Sequence, residues 1–303
     1  MSIPGVPGNA PGARRMTGLS RQQWASLVAP EPAAVPSDVG LAPEEVHEVY
    51  RPLARLLATE ADARPEGPGP YLIGITGSVA VGKSSVAIGL RVLLEERLGV
   101  GTVTALSTDS FLYPNAELIR RGVLDRKGFP ESYDQPLQHQ VLTAIRAGET
   151  GVSVPVYSHQ TYDILPDRVD VIDPTQIVLV EGLNVLRDDD DALRCDTVIY
   201  VDAAEVDIAR WFHQRVIHLC ANAPDDPDNF YRQLSTLPRP QLESLIDGVW
   251  VGVNRVNLRR HIIPTRALAD IVLHKGSDHR VEEISLTDRW LSRLRAEAAQ
   301  SGM

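Results

Sequence analysis

The chain has 303 residues, 30 Lys and Arg against 40 Asp and Glu, and therefore a formal net charge of −10. An acidic chain has no overall positive field for wrapping nucleic acid, so we expect no nucleic-acid partner. No apolar run reaches the roughly 20 residues of a membrane span, and two cysteines cannot build a disulfide framework. We therefore expect a cytoplasmic protein with no membrane partner.

The N-terminal region divides into a tail, a helical segment and a linker. Residues 1–19 are rich in Pro, Gly and Ala, which is typical of a disordered tail. A short helix is predicted with its cap at Ser20, and a longer amphipathic helix is predicted from Glu44. The segment ADARPEGPGP, residues 61–70, is typical of a linker. We expect one domain over residues 20–303, with an N-terminal helical extension.

From Tyr71 onward, short apolar runs alternate with helical patterns. Strands are predicted at 71–76, 103–109, 177–180, 198–201 and near Ile271, and helices at 83–98, 136–147, 205–220, 240–260 and 287–299. This alternation indicates an α/β fold with a mostly parallel, doubly wound sheet flanked by helices. Ligands of such sheets bind beyond the carboxyl ends of the strands, so we expect the site there.

The stretch GSVAVGKS follows the first predicted parallel strand and opens a helix, which is the context of a P-loop. Its glycines let backbone N–H groups surround a phosphate, and the helix N-terminus favours the same anion. We expect ATP at the residues Gly77, Ser78, Val79, Ala80, Val81, Gly82, Lys83, Ser84 and Ser85. Lys83 is expected to reach the β- and γ-phosphates, and the Ser84 hydroxyl to bind Mg²⁺.

Two carboxylates follow other predicted strands. Asp109, in STDSF, could accept a proton from an acceptor hydroxyl, or it could be a helix cap or turn residue. Glu181, after IVLV, could support Mg²⁺ as a Walker B carboxylate, or it could cap the next helix. Both positions therefore have a catalytic and a structural interpretation.

Two further stretches have the composition of binding loops, RKGFPESYD at 126–134 and PVYSHQTYDILPD at 155–167. Both concentrate aromatic and acidic residues between the predicted elements. His159 lies between Tyr157 and Tyr162, so it is either a ligand contact or a structural histidine.

Together, GSVAVGKSS, RKGFPESYD, PVYSH, EGLNVL, YVDA and IPTR resemble the motifs of the bacterial type I pantothenate kinases, in order from about Ser20 to Leu286. The resemblance implies a P-loop kinase fold, ATP and Mg²⁺, and transfer of the γ-phosphoryl group to the hydroxyl of a small-molecule alcohol. It also implies a homodimer and feedback inhibition by coenzyme A.

The resemblance assigns roles to individual positions. The catalytic residues that it implies are Lys83, Asp109 and Arg215. The acceptor-binding residues are Asp109, Tyr157, His159, Tyr162, Phe212 and Asn254, and the residues that flank adenine are Lys275 and His279. For Arg215, a plain surface position on its helix is the alternative.

The chain also departs from the family pattern at positions expected to line the acceptor cleft. Phe212 replaces a tyrosine, and aromatic positions of the family are occupied by Val216, Leu219 and Pro224. Polar side chains stand at Ser110, Gln160 and Thr161. These changes predict a wider and more polar cleft, in which a polyhydroxylated acceptor competes well and pantothenate has a high KM. Ile88 replaces an arginine that helps the family bind coenzyme A, so we expect weak inhibition by coenzyme A.

Three functions follow from these observations. The first is a pantothenate kinase with relaxed regulation, and the second is a relative that phosphorylates another hydroxyl, such as that of a nucleoside or a sugar. The third is a nucleotide-binding regulator without turnover, but retention of Asp109, Glu181 and Arg215 argues against it. A sensor that only binds nucleotide would not need all three.

Overall fold

The strands fall into two sheets. A computed structural model describes residues 14–28, 31, 34–35, 39–64, 67, 69–186 and 195–300. Its strands are β1 (Met16–Ser20), β2 (Tyr71–Gly77), β3 (Val103–Ser107), β4 (Val152–Ser158), β5 (Asp163–Ile172), β6 (Ile177–Glu181), β7 (Thr197–Ala203), β8 (Ile271–Lys275) and β9 (Val281–Thr287). Seven of them form one sheet, and β4 and β5 form a separate antiparallel hairpin.

The larger sheet has the strand order β1-β9-β8-β7-β2-β6-β3. Strands β3, β6, β2, β7 and β8 are parallel, whereas β9 and β1 add an antiparallel edge. All seven residues of β2 are buried, because β2 lies between two parallel neighbours and both of its faces are covered. The chain passes from β2 to β3 on one side and later returns to β7 on the other, so β2 lies at the topological switch point.

Helices cover the sheet. They are α1 (Arg21–Ala25), α2 (Pro43–Glu45), α3 (Arg51–Asp62), α4 (Lys83–Leu98), α5 (Asn115–Arg121), α6 (Gln135–Arg146), α7 (Glu205–Ala221), α8 (Phe230–Ser235), α9 (Arg239–Val249), α10 (Arg255–Asn257) and α11 (Asp288–Gln300). Turns of π-helix connect α2 to α3 and flank α10, so the helix predicted at 240–260 is a succession of short helical segments. No helix in the described ranges is long and apolar enough to cross a membrane.

The prediction of a disordered tail through residue 19 is wrong for its last part. Residues 16–19 belong to β1, which pairs with β9 from Met16 opposite Thr287 to Ser20 opposite Glu283. Arg14 contributes to this attachment through an ion pair with the buried Asp270. The composition suggested disorder because a strand on the edge of a sheet depends on its partner rather than on its own sequence. Residues 1–13 lie outside the described residues.

The predicted cap at Ser20 is confirmed. Its hydroxyl accepts a hydrogen bond from the Gln23 backbone N–H, and the Gln23 side chain accepts one from the Ser20 N–H. The five predicted parallel strands are confirmed as well, except that β3 ends at Ser107. Asp109 therefore lies in the 3₁₀ turn Thr108–Phe111 that follows the strand.

The segment at 155–167 is not a loop. Most of it belongs to the β4–β5 hairpin, with a short turn between Ser158 and Asp163. Strand β9 was not predicted either, because its sequence VEEISLT has two consecutive glutamates. Both glutamates are exposed on this antiparallel strand, where polar residues are tolerated.

Candidate active site

The loop from Gly77 to Ser84 joins β2 to α4 and has the backbone that a phosphate cradle requires. Gly77 has φ +142°, and a Cβ there would lie 2.3 Å from the carbonyl oxygen of Val201. Gly82 has φ +93° and precedes the first residue of α4. Ala80, which is not a glycine, has φ +61°, a sparsely populated conformation that the loop imposes. The two glycines are therefore required by the path of the loop.

A cavity of about 680 Å³ lies over the start of α4, and we call it the nucleotide cavity. It is bounded by the loop, by α7, by the turn between β8 and β9, and by the chain leading into α2. The predicted nucleotide residues that line it are Ala80, Gly82, Lys83, Ser84, Ser85, Lys275 and His279. Gly77, Ser78, Val79 and Val81 do not line it, and Val81 is buried in the core.

His279 lines the nucleotide cavity with its ring stacked on Trp211, the ring centroids being 3.7 Å apart and the planes 22° apart. Burial and the Lys275 and Arg210 cations lower the pKa of His279. The sequence did not predict Trp211 as a site residue. Trp211 immediately precedes Phe212, a predicted site residue, and this proximity could have indicated it.

A second cavity, of about 160 Å³, lies on the other side of the loop, and we call it the acceptor cavity. The structure brings the predicted catalytic, acceptor and metal residues together there. Those that line it are Lys83, Ser84, Asp109, Tyr157, His159, Tyr162, Glu181, Phe212, Arg215 and Asn254. These residues come from separate stretches of the chain. Many of them lie near the ends of β3, β6 and the hairpin, which are close together in the fold.

Lys83 lies where the two cavities meet. Its Nζ donates a hydrogen bond to the carbonyl oxygen of Ser78 at 2.8 Å, and its side chain is buried. Burial lowers the pKa of Lys83, while the carboxylates of Glu181 and Asp109 raise it and Arg215 lowers it further. One buried cation therefore lies near two carboxylates and a guanidinium, an arrangement suited to a polyanionic ligand and a metal ion.

The two carboxylates are held near each other by backbone packing. Ser107, at the end of β3, pairs with Glu181 at the end of β6. Gly182 has φ +152°, and a Cβ there would lie 1.8 Å from Oγ1 of Thr108. Only a glycine after Glu181 lets this backbone approach the 3₁₀ turn that holds Asp109. Gly182 was not among the residues predicted for the site.

The hairpin supplies an aromatic wall. The Tyr157 ring contacts the rings of His159 and Tyr162 edge to face, with centroids 5.1 and 6.2 Å apart. Tyr162, with φ +55°, also stacks on Phe230 at 4.7 Å. Burial raises the pKa of Tyr162 to about 12, so its hydroxyl stays protonated and can donate a hydrogen bond at neutral pH.

Lys127 is a functional candidate that the sequence analysis missed. Its Nζ donates hydrogen bonds to Asn115 Oδ1 at 2.7 Å and to the Tyr162 carbonyl oxygen at 2.5 Å, and it lies 4.5 Å from the centroid of the Tyr162 ring. It lines the acceptor cavity. Burial lowers the pKa of Lys127 to about 8, although Asp163 and Asp109 oppose that shift. The composition of RKGFPESYD indicates a binding stretch, but it does not distinguish Lys127 from the other residues of that stretch.

Four positions expected to make the acceptor cleft wider or more polar lie outside the acceptor cavity. Gln160 and Pro224 line a third cavity of about 260 Å³ beside the acceptor cavity, which we call the side cavity. Ser110 and Thr161 line none of the three cavities. The prediction of a more polar acceptor cleft is therefore wrong at Ser110, Gln160 and Thr161, because none of the three lines the acceptor cavity.

A glycine-rich loop at the switch point of a parallel sheet, with a buried lysine between a large and a small cavity, defines a P-loop phosphotransferase. Comparison with known proteins shows which family of P-loop phosphotransferases the chain resembles. The model of the phosphoribulokinase and uridine kinase family matches residues 72–216.

Curated relatives match over most of the chain. A pantothenate kinase of Xanthobacter autotrophicus is 38% identical over 314 residues, covering 91% of this chain and 97% of the relative. A pantothenate kinase of Streptococcus pneumoniae is 39% identical over 261 residues, covering 80% and 85%. The chain belongs to the pantothenate kinase family and is an ATP-dependent small-molecule kinase, which confirms the resemblance of its motifs.

Solved structures support the fold. D-glycerate 3-kinase from Cryptococcus neoformans aligns with a TM-score of 0.53 at 12% identity, covering 76% of this chain and 96% of the other. At that identity the likeness concerns the fold alone. The α/β architecture with a mostly parallel sheet, predicted from the alternation of strands and helices, is thereby confirmed.

Proposed function

We propose that this kinase transfers the γ-phosphoryl group of ATP to the primary hydroxyl of pantothenate, giving 4'-phosphopantothenate. One observation carries the proposal: the nucleotide cavity and the acceptor cavity share Ala80, Lys83, Ser84 and Arg215. A phosphoryl group that passes from one cavity to the other must pass these residues. The curated relatives named pantothenate kinase support the choice of acceptor.

On the nucleotide side, the backbone of the loop and the N-terminus of α4 bind the phosphates, and Lys83 neutralises the β- and γ-phosphates. The Ser84 hydroxyl and the Glu181 carboxylate line the acceptor cavity beside Lys83, and both are oxygen donors suited to Mg²⁺. Among the described residues no group of three or more His, Cys, Asp or Glu could hold a metal ion, so phosphate oxygens and waters would complete its shell. When bound, Mg²⁺ neutralises charge that develops on the phosphate oxygens.

On the acceptor side, Asp109 accepts the proton of the attacking hydroxyl. The hydroxyl oxygen of the acceptor bonds to the γ-phosphorus, and ADP leaves. Arg215 and Lys127 face the equatorial oxygens of the transferred group, where a positive charge lowers the barrier. The aromatic wall packs on the acceptor and excludes water from the reacting atoms, and Asn254 and His159 offer it hydrogen bonds.

The side cavity favours a second candidate, a kinase whose acceptor is larger than pantothenate or different from it. It shares His159, Arg215, Leu219 and Tyr231 with the acceptor cavity, so one ligand could extend across both. A nucleoside or a sugar derivative has a hydroxyl to phosphorylate and a body that could extend into this extra space, whose lining is mostly apolar.

Transfer from γ-labelled ATP to a panel of pantothenate, pantetheine, nucleosides and sugars tests both candidates. We expect pantothenate to have the highest kcat/KM. A nucleoside or sugar that exceeds pantothenate by more than about a hundredfold, roughly 2.7 kcal/mol, establishes the second candidate and overturns the first. Binding of ATP with neither hydrolysis nor transfer to any acceptor of the panel would overturn both and leave the nucleotide-binding regulator.

The resemblance to the family also supports a homodimer. We further propose that the enzyme acts in the cytoplasm. Light scattering of the protein eluting from a gel-filtration column measures the mass directly. We expect about twice the 33.2 kDa of one chain. A mass of one chain at micromolar concentration would contradict the dimer without affecting the proposed reaction.

A further inference from the structure

Lys275, the last residue of β8, is turned into the nucleotide cavity above the loop. The pairing of β8 with β9 shifts register between His274 and Lys275, a β-bulge of the kind that re-aims a side chain beside a functional site. A Cβ on Gly82 would lie 2.8 Å from the Lys275 Nζ. The ammonium group therefore occupies the space that a side chain on Gly82 would need.

Little of Lys275 is exposed, and its ammonium group opens onto the nucleotide cavity. The residue is 5% exposed and lines that cavity, and no hydrogen bond or ion pair joins its Nζ to another described residue. The Glu45 carboxylate raises the pKa of Lys275 against the effect of burial, but its Oε1 accepts the backbone N–H of Val281 at 2.8 Å. Lys83 differs, because its Nζ is held by the Ser78 carbonyl oxygen. An ammonium group on the wall of a cavity, with no protein partner, favours an anion in the space in front of it.

We propose that Lys275 is a second phosphate-binding lysine, which contacts the α- and β-phosphates from the side of the loop opposite Lys83. The inference rests on the proposed function, because it takes the nucleotide to be the ligand of this cavity. Backbone N–H groups of a P-loop cradle the α- and β-phosphates, and Gly82, which lies against Lys275, is part of that cradle. The family resemblance instead implied that Lys275 flanks adenine, so the two assignments make different predictions.

Binding of two probes separates these assignments. One probe is ADP, and the other is inorganic pyrophosphate, which has phosphates but no base. We expect Lys275→Met to weaken both by about 10- to 100-fold, since charge-assisted hydrogen bonds contribute that much. Isothermal titration calorimetry with ADP, and displacement of ADP by pyrophosphate, give the two constants. Arg259→Met is the control, because it removes one positive charge from a surface ion pair with Glu205.

Thermal unfolding without ligand is a second readout. Removal of an unpartnered buried charge should leave the Tm unchanged or raise it, and the stabilisation by ADP should shrink. Loss of ADP affinity with pyrophosphate affinity unchanged would place Lys275 against the base and overturn the proposal. Unchanged affinity for both probes would overturn it too, and a lower Tm without ligand would make the residue structural. Wild-type protein that binds neither probe would refute the nucleotide site itself, which is a separate result.

Discussion

The nucleotide cavity and the acceptor cavity share a wall but are built differently. The first, about 680 Å³, is built around one contiguous loop at the start of α4, with α7, the turn between β8 and β9 and the chain leading into α2 around it. The second, about 160 Å³, is assembled from side chains of several distant segments, and its aromatic rings and Lys127 already contact one another. ATP binding should therefore survive most changes in the acceptor cavity, whereas changes in the loop should disable both cavities.

Lys83→Ala should have the largest effect, because Lys83 serves both cavities. We expect kcat/KM to fall by about 10³- to 10⁵-fold, the range for a cation that faces a transferred phosphoryl group. Steady-state kinetics with a coupled assay for ADP measure it. Arg91→Ala on the same helix, which removes a surface pair with Glu95, is the control. Wild-type turnover in the Lys83 variant would refute the loop as the phosphate site.

Asp109→Asn should lower kcat by about 10²- to 10⁴-fold while the affinity for ATP stays the same, because a general base acts only on the acceptor side. Glu181→Gln should instead raise the Mg²⁺ concentration needed for half-maximal rate. Titrations of ATP binding and of Mg²⁺ activation distinguish the two carboxylates. Joint loss of ATP affinity and rate in the Asp109 variant would make that residue a metal support.

Gly182→Ala tests the close packing that brings the carboxylates together. The added Cβ would overlap Thr108, so we expect the free energy of unfolding to fall by about 1–3 kcal/mol. Gly248→Ala is the matched control, because nothing lies within 4 Å of the added methyl and its helix should gain about 0.5–1 kcal/mol. Chemical denaturation measures both. Equal stabilities for the two variants would show that the approach of Gly182 to Thr108 is not required.

The pH dependence of kcat/KM tests the role of Lys127. With a pKa of about 8, Lys127 loses its proton as the pH rises above 8, so kcat/KM should fall by up to tenfold per pH unit there. Arginine stays charged across this range, and Lys127→Arg should therefore remove that alkaline decline, whatever its effect on the maximal rate. An identical decline in the variant would assign it to another group.

Coenzyme A provides the smallest expected effect, which is weak inhibition or none. Ile88 is 46% exposed on α4 and does not line the nucleotide cavity, and an isoleucine cannot pair with a phosphate. We expect less than twofold inhibition at low micromolar coenzyme A. Ile88→Arg, which restores the family's residue, should increase that inhibition. Competitive inhibition of the wild type at low micromolar concentration would contradict the prediction.

The sequence alone determined the class of the protein and the parallel part of the sheet. Gly77 to Ser85 are contiguous, and an apolar strand followed by a glycine-rich turn and a helix folds into one local arrangement with few alternatives. Strands β2, β6, β7 and β8 were predicted for the same reason, since strands buried on both faces are uniformly apolar. Asp109 and Glu181 follow strands, so their convergence also followed from topology.

The tertiary structure decided what depends on partners distant in the sequence. Strand β1 pairs with β9, far away in the sequence, and Gln160 lines the side cavity whereas its neighbour Thr161 does not. Lys127 became a candidate only once its burial was known, because the sequence does not show whether a lysine is solvated or enclosed. Lys275 was predicted as a nucleotide residue, but its position beside Gly82 came from the structure. A side chain's surroundings are set by long-range packing, which periodicity and local motifs do not encode.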